Sequence, residues 1–284
     1  RDWSSTCALP ILVIATHHDT HARFAAEAMR AGKQVFVEKP LALTVEQLEL
    51  VLEAQRETGR IVMVGYNRRF SPLSEATRAF FADRAGPIEV VCRVNAGAIK
   101  ADSWYQDAEE GGWRIVSEGC HFVDLIQYLV GSPIDEVQAM MVGGQLAGAQ
   151  NDNCIVTMKM GDGSIGSLVY VANGDPELER ERGEVCVRGR TAGIENWRLA
   201  RLLVGGKGRK VHPGGTGKGH GREMAAFIEA VRHGGEPPLP LGQAVDCTRA
   251  TLAAVESFHG RRIVQIDSVV VKDQDMPRQE SDDV

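Results

Sequence analysis

The first quarter of the chain alternates short apolar runs with longer amphipathic stretches. The runs at 11–15, 35–37 and 61–64 are rich in β-branched residues, as expected of interior strands in a parallel sheet. Between them, residues 21–32 and 44–59 repeat apolar positions at helical spacing. This order of strands and helices predicts a βαβαβ unit with right-handed crossovers, which is half of a doubly wound sheet.

Local signals mark the ends of these helices. Asp19 or Thr20 is placed to cap the first helix, because their side-chain oxygens can accept from free backbone N–H groups. Thr44 and Gln47 have the spacing of a capping box. Gly59 is predicted to end the second helix.

The pattern changes near Pro87, where short segments of alternating apolar and polar residues are separated by turn residues. This alternation predicts an open, mainly antiparallel sheet. Helices are predicted near 115–130, 222–231 and 243–258. The expected fold class is α/β plus α+β: a partial Rossmann domain, with a doubly wound parallel sheet, followed by an α+β domain with an open, mainly antiparallel sheet.

A Rossmann half-sheet of this kind normally needs a glycine-rich turn that binds pyrophosphate at a helix N-terminus. From the sequence we expect no Gly-x-Gly-x-x-Gly turn after any strand. The glycine-rich stretch 214–221 lies late in the chain without a βαβ context, and we interpret it as a mobile loop, with a phosphate cradle as the alternative.

Composition narrows the possible partners. The 284 residues carry a formal net charge of -6, so no basic stripe is available for nucleic acid or an anionic membrane surface. Six cysteines are scattered without a CxxC pair, which favours reduced thiols in a cytoplasmic protein over a disulfide framework or zinc ribbon. No apolar run approaches the roughly 20 residues that would span a bilayer.

Three motifs follow one another at a characteristic order and spacing. They are EKP at 38–40, GYNRRFSP at 65–72, and GGW followed by EGCHFVDLIQYLVG between 111 and 131. With them the chain resembles the glucose-fructose oxidoreductase and inositol dehydrogenase (Gfo/Idh/MocA) family from about Ile11 to Asp267. The CHFVDL version also resembles the C-terminal half of larger two-part oxidoreductases.

The resemblance implies NAD or NADP as cofactor and hydride transfer between nicotinamide and a hydroxyl-bearing carbon of a sugar or sugar derivative. It also implies a homo-oligomer for the full-length protein. Lys39 and His121 match the family's active-site lysine and catalytic histidine. Where the family often has an aspartate four residues before that histidine, this chain has Ser117, which leaves Glu118 as the nearest carboxylate. The positions that the resemblance places near the cofactor are Thr16, His17, His21, Glu38, Lys39, Pro40, Asn67 and Arg68.

The domain organisation follows from pattern and resemblance together. Residues 11–85 are expected to be the C-terminal half of a dinucleotide-binding Rossmann domain, and 86–267 a substrate and oligomerisation domain. Residues 1–10 lack periodicity, so we expect them to be non-native, with a disordered natural terminus as the alternative, and we expect 268–284 to be a flexible tail. The chain is expected to be N-terminally truncated and to bind cofactor poorly, since it lacks the pyrophosphate turn.

The residue types also suit alcohol oxidation. On the predicted helix, Glu118, His121 and Asp124 recur every three residues and share one face. A carboxylate beside an imidazole raises the imidazole pKa, as a general base requires, and Lys39 supplies a cation for the developing alkoxide. The plain alternative is that Glu38 and Lys39 are a solvated strand end, that His121 is a half-buried structural histidine and that Asp124 is a charge on the helix surface. Candidate catalytic residues are Lys39, His121 and Glu118; candidate substrate-binding residues are Lys39, Asn67, Trp104, Asp124 and His220.

Two other functions stay open at this stage. The THHDTH stretch contains His17, His18 and His21 with Asp19, residue types that bind first-row metals, so a metal-dependent hydrolase is one alternative. No metalloprotease spacing is present, and we expect no metal. The other is a family member without catalysis that acts as a sensor or scaffold, which the departure at Ser117 motivates.

Overall fold

The computed structural model describes residues 10–100, 102–142, 152–214 and 217–270. The expectations for residues 1–9, for the tail from 271 onward and for positions 215–216 of the glycine-rich stretch lie outside the described residues.

The first sheet has three parallel strands in the order β1-β2-β3. Phe36 in the middle strand is aligned with Val13 on one side and Met63 on the other. One edge is β1, where the Val13 side chain is 51% exposed. The elements are β1 (Ile11–Ile14), α1 (His18–Arg30), β2 (Gln34–Val37), α2 (Val45–Thr58) and β3 (Val62–Val64). This is the predicted βαβαβ order.

The second helix ends as predicted, and the first does not begin as predicted. Thr44 Oγ1 accepts from Gln47 N at 3.2 Å, and Gly59 follows α2 with φ 62°. Gln47 reaches back to Leu43 N instead of the capping residue itself. For α1 the predicted cap is wrong: the helix begins at His18 without a side-chain cap, because the backbone turns earlier and places Asp19 and Thr20 inside the first turn.

A helix that the sequence reading missed, α3 (Pro72–Phe80), follows the 3₁₀ turn Asn67–Phe70. Ser71 caps it by accepting from Leu73 N at 3.2 Å, and Pro72 occupies the first turn. Serine followed by proline is a helix-start signal.

The second sheet is open, nine-stranded and mainly antiparallel, in the order β11-β10-β9-β8-β4-β7-β6-β5-β12. The central strand β4 runs antiparallel to β8 and parallel to β7. Buried and exposed residues alternate along β6 and β8, so one face of the sheet is left uncovered. Its strands are β4 (Glu89–Asn95), β5 (Ile134–Met141), β6 (Cys154–Met160), β7 (Ile165–Val171), β8 (Glu181–Val187), β9 (Arg190–Glu195), β10 (Leu199–Val204), β11 (Lys207–Val211) and β12 (Val264–Gln265).

Three helices connect the two sheets. The predicted helix at 115–130 is a π-helical turn, Ile115–Gly119, that continues into α4 (Cys120–Val130). The other two are α5 (His220–His233) and α6 (Leu241–Gly260). Because α6 packs on β3, β5 and α4, it lies against both sheets. Lys39 at the carboxyl end of β2 contacts the turn before α4, and the region between α4 and the strand ends of the first sheet is named the cleft.

One expectation about glycines is wrong. Gly161, Gly163 and Gly166 have the Gly-x-Gly-x-x-Gly spacing and follow strand β6. They form the turn into β7, which pairs antiparallel with β6. No helix N-terminus follows this turn, so its backbone is not arranged to hold a pyrophosphate.

Two further findings concern the chain as a whole. The five cysteines in the described ranges are free of disulfides. Among the same residues, no helix combines the length and apolarity needed to cross a membrane.

Candidate active site

The lysine at the end of β2 meets the π-helical turn before α4. Lys39 Nζ donates to the backbone oxygen of Ser117 at 3.0 Å and lies 5.9 Å from the centre of the Tyr105 ring. The Lys39–Pro40 peptide is cis. Widened π-helical turns occur frequently at functional sites. The contact joins the first sheet to the helix that carries His121.

His121 lies one helical turn beyond that contact. It is 8% exposed, and its Nδ1 is buried without a hydrogen-bond partner in the described part of the chain. Burial, reinforced by the charges of Arg68 and Lys39, holds the pKa of His121 well below its usual value. The imidazole is therefore neutral at neutral pH and can accept a hydrogen bond. The predicted rise of its pKa beside a carboxylate is wrong, because burial and two cations lower the pKa instead and make the ring a weaker base.

Ser117 occupies the position where the resemblance leads us to expect an aspartate. Its side chain is fully buried, and the hydroxyl oxygen has no partner among the described residues. No carboxylate is within hydrogen-bond distance of His121 in these ranges. Ser117 Oγ and His121 Nδ1 are therefore two buried polar atoms without hydrogen-bond partners close to the Lys39 contact, and such atoms in a native fold call for a functional explanation.

Glu118 points away from this wall. Its carboxylate accepts from Arg114 Nη2 at 2.7 Å and from the Tyr170 hydroxyl at 2.6 Å, and Arg180 lies 3.5 Å away. Burial alone would raise the pKa of Glu118, but these donors outweigh it and the pKa is lowered. A carboxylate stabilised as an anion is a poor proton acceptor, so the structure does not support the predicted catalytic role.

Arg68 was predicted to lie near the cofactor, but in the structure it binds a glutamate of the second sheet. Its guanidinium binds both oxygens of Glu181, at 2.9 and 3.0 Å, and lies 4.5 Å from the centre of the Phe122 ring. Lys218 and Trp197 donate to the same carboxylate. Burial opposes the charge, yet Arg68 and Lys218 hold the pKa of Glu181 at about 2. Arg68 is buried in an ion pair and is not available to contact a cofactor.

Asn67 and Asp124 are likewise held by the protein. Asn67 Nδ2 donates to the Lys218 carbonyl at 2.7 Å. Asp124 is fully buried and accepts from two nitrogens of Arg69, whose Nη1 also donates to Gln243. The predicted substrate contact of Asp124 is replaced by this internal ion pair.

The three histidines after β1 have separate partners. His17 Nδ1 pairs with Glu110, and His18 Nδ1 donates to the Gly111 carbonyl at 2.7 Å. The ring nitrogens of His21 lie 2.8 Å from the carbonyl oxygen of Pro40 and 3.1 Å from that of Thr16. No group of three metal-binding side chains assembles within the described ranges. The geometry therefore does not favour the metal-dependent hydrolase.

The segment 102–112 folds over this histidine loop. Trp104 stacks on the His17 ring with centroids 4.3 Å apart and meets the His18 ring edge-on. Burial lowers the pKa of His18 to about 4, so its ring is a neutral part of this packing. Trp104, predicted to stack on a sugar, is stacked on His17, and Thr16 bonds to the Thr20 hydroxyl at the same loop.

The structure adds one residue that sequence reasoning missed. Glu223 in α5 is 3% exposed, and its pKa is raised to about 9 by burial first and by Glu38 next. His220, one turn earlier, also interacts with Glu38. The signal in the sequence was the i, i+3 spacing of His220 and Glu223, which places both on one helix face.

The described residues fit the nicotinamide end of a dinucleotide better than its pyrophosphate. Thr16, Lys39 and Asn67 follow the carboxyl ends of β1, β2 and β3, where ligand sites of open α/β sheets lie. Lys39 contacts the turn before the helix that carries the unpartnered His121 Nδ1. Among the described strand-to-helix turns of this sheet, none has the glycine-rich pattern.

Two family models match the chain. A model described as "Oxidoreductase family, NAD-binding Rossmann fold" matches residues 3–66. A second, described as "Oxidoreductase family, C-terminal alpha/beta domain", matches residues 56–266. Together they account for both sheets.

Named relatives agree with these matches. The chain is 26% identical over 281 residues to scyllo-inositol 2-dehydrogenase (NAD(+)) of Bacillus subtilis, covering 90% of this chain and 77% of the relative. It is 36% identical over 125 residues to inositol 2-dehydrogenase 2 of Saccharopolyspora erythraea, covering 43% and 35%. A solved structure of levoglucosan dehydrogenase in complex with NADH and levoglucosan superposes with a TM-score of 0.78 at 20% identity, covering 90% and 80%. This last likeness concerns the fold.

Proposed function

The chain belongs to the Gfo/Idh/MocA oxidoreductase family, and from that premise we propose that it acts as an NAD(P)-dependent dehydrogenase. The reaction is hydride transfer between nicotinamide and a CH–OH carbon of a cyclic polyol or sugar. Relatives named as inositol 2-dehydrogenases support this substrate class. The single observation that carries the proposal is the contact of Lys39 with Ser117, which brings an ammonium to the cleft beside a neutral His121.

Each of the two groups has a distinct task in the proposed reaction. His121 is neutral, so a ring nitrogen can accept a hydrogen bond from the substrate hydroxyl, and this nitrogen takes up the proton as hydride leaves the same carbon. Lys39 places positive charge where the substrate oxygen becomes negative. When bound, the nicotinamide supplies the hydride acceptor or donor. Thr16, Pro40 and Asn67 are the residues at the strand ends that would hold its nicotinamide end.

A spectrophotometric assay of NAD(P)H formation tests the proposal. Inositols, aldoses and uronic acids are offered at high cofactor concentration, because the phosphate turn is not among the described residues. Lys39→Ala and His121→Ala are each expected to lower kcat/KM by about 100-fold or more. Lys207→Ala and His233→Ala, at exposed positions, serve as controls and are expected to leave it unchanged.

Two other results of this assay would contradict the proposed reaction. Turnover that is insensitive to Lys39 and His121 would contradict the proposed reacting centre. Binding of nicotinamide and polyol without any turnover would favour the non-catalytic sensor or scaffold, for which the missing aspartate at Ser117 is the relevant observation.

We also propose that the outer face of the nine-stranded sheet binds a second copy of the chain. Met140 on β5 is 67% exposed and lies beside Ile155 on β6, which is 44% exposed. Adjacent exposed apolar side chains on an open sheet face are characteristic of an interaction surface. Residues 86–267 would then form the substrate and oligomerisation domain, and residues 11–85 the cofactor-facing one.

A further inference from the structure

Glu223 is a buried acid that the proposed reaction does not use. It is 3% exposed, and its Oε1 has no hydrogen-bond partner among the described residues. Phe227, four residues later on α5, packs against the ring of Phe36 in β2 with centroids 5.6 Å apart. Because alternate residues of a strand share a face, Glu38 lies on the same side of the sheet as Phe36. Glu223 is thus positioned to meet Glu38.

The nearby cations are already paired with other carboxylates. Arg69 binds Asp124, and Arg68 binds Glu181, in each case through two nitrogens. No ion pair joins Glu223 to a cation in the described part of the chain. A buried carboxylate without a counter-ion is costly, whereas its protonated form is not. The raised pKa of Glu223, about 9, has this cause.

The Glu38 carboxylate is closely confined. A Cβ on Gly65 would lie 3.2 Å from Glu38 Oε2, closer than side-chain carbons normally approach. The backbone N–H of Lys39 donates to the same oxygen at 3.3 Å. The Lys39 side chain leaves toward the turn before α4, so the two neighbouring charges are kept on opposite sides of the strand end.

We propose that Glu223 is a positioning residue that stays protonated at neutral pH and donates its proton to the Glu38 carboxylate. This hydrogen bond holds Glu38 on the α5 side and leaves the Lys39 ammonium to the reacting oxygen. The part that concerns Lys39 in catalysis rests on the proposed function, whereas the proton on Glu223 does not.

A protonated Glu223 makes the stability of the folded protein decrease as pH rises. A carboxyl with a folded pKa of about 9 and an ordinary value of 4.5 binds a proton in the folded state that the unfolded state releases. Stability therefore decreases as pH rises from about 4.5, and the loss is complete above about 9. The charged or titratable groups around it are Glu38 from β2, His220 on its own helix, Asp124 from α4, and Arg68 and Arg69 from the 3₁₀ turn.

The neighbouring groups do not titrate in the pH range in which Glu223 is expected to lose its proton. Burial lowers the pKa of His220, so it is neutral above pH 7. Asp124 is fixed in its ion pair with Arg69. Between pH 7 and 10, Glu223 is the group in this cluster whose charge is expected to change.

The test compares Glu223→Gln with Glu229→Gln, an exposed glutamate on the same helix. Urea unfolding is measured from pH 6 to 10, and the reactivity of Lys39 toward acetic anhydride is followed over the same range by mass spectrometry. In the wild type, Lys39 reactivity is expected to show an additional step near pH 9, above the smooth rise that every lysine amine shows as it loses its own proton. Glu223→Gln should flatten the decline in stability and remove that step, and Glu229→Gln should do neither.

A second variant keeps the test valid if glutamine perturbs folding. Glu223→Met preserves volume but removes the donor, so it should change Lys39 reactivity severalfold already at pH 7. The proposal would be overturned if Glu223→Gln had the same pH dependence of stability as the wild type. It would also be overturned if the stability of Glu223→Gln no longer declined with pH but Lys39 reactivity were unaltered in both Glu223 variants. If both readouts respond while the wild type turns over no polyol or sugar, the dehydrogenase proposal fails and the role of Glu223 stands.

Discussion

Ser117 leaves His121 without a neighbouring carboxylate. A carboxylate at this position would favour the charged imidazolium, whereas in this chain burial, reinforced by the charges of Arg68 and Lys39, holds the pKa of His121 well below its usual value. Ser117→Asp is therefore expected to raise the pKa of His121, so that kcat/KM falls at a higher pH on the acid side than in the wild type. The measurement is the pH–rate profile, with Ser117→Asn as an uncharged control. An unshifted acid limb in Ser117→Asp would show that His121 does not carry the proton.

His18 makes the fold sensitive to acid. Its pKa is about 4 in the folded state and 6.5 as a free side chain, so the unfolded state binds more protons between these values. The neutral His18 ring contributes to the free energy of unfolding, and this contribution is fully present above pH 6.5. About 3 kcal/mol of it is lost as pH falls toward 4. Urea unfolding at pH 7 and 4.5 should show a smaller difference in His18→Gln than in the wild type. Exposed His233→Gln should behave as the wild type, and equal acid sensitivity in His18→Gln would contradict the assignment.

At the scale of elements, α5 is held against the turn after β3 by a glycine. Gly219 has φ 90°, and a Cβ there would overlap the Asn67 carbonyl and lie 2.7 Å from Phe70 C. Gly219→Ala is therefore expected to lower the free energy of unfolding by about 3 kcal/mol. Gly221→Ala, two residues on, has open space around its Cβ and should be neutral or stabilising by up to about 1 kcal/mol. Chemical denaturation of both variants checks the contrast, and equal stabilities would contradict it.

The π-helical turn is fastened to the second sheet through Glu118. If this residue is structural, Glu118→Gln should cost about 2–3 kcal/mol of stability, because Arg114 is left buried beside a neutral group. kcat for the best substrate should change far less than in Lys39→Ala. Thermal unfolding and steady-state kinetics separate the two effects. A large loss of kcat at unchanged stability would restore Glu118 as a proton-handling residue.

For the whole molecule, the exposed face of the nine-stranded sheet predicts self-association. Met140→Glu or Ile155→Glu should shift sedimentation velocity toward the monomer, since a buried charge opposes an apolar contact. Leu178→Glu changes a side chain that is 48% exposed in the turn before β8, away from this pair of strands, and should leave association unaltered. A wild type that sediments as a monomer at all concentrations would contradict this interface.

The parts of the fold that sequence could predict are those with local causes. The cap at Thr44 and the end at Gly59 depend on neighbouring residues alone, and strand periodicity shows which face is buried. The partners of Arg68 were not predictable in this way. Glu181 lies 113 residues away. The alternating pattern of β8 places it on the buried face with Val185 and Val187, but this pattern does not show which cation it meets. Lys39 and His121 came from the resemblance, whereas Glu223 needed the packing of α5.

The Glu181 carboxylate restricts how the cleft can open. Its donors are Arg68 in the turn after β3, Trp197 between β9 and β10, and Lys218 before α5. A hinge motion that separated the two sheets would leave a buried anion and a buried arginine without partners, which is strongly unfavourable. We therefore expect the two sheets to move as one rigid body. Ligand exchange would then depend on local displacement of the 102–112 segment, whose contacts with the histidine loop include the exposed side chains of His17 and Glu110.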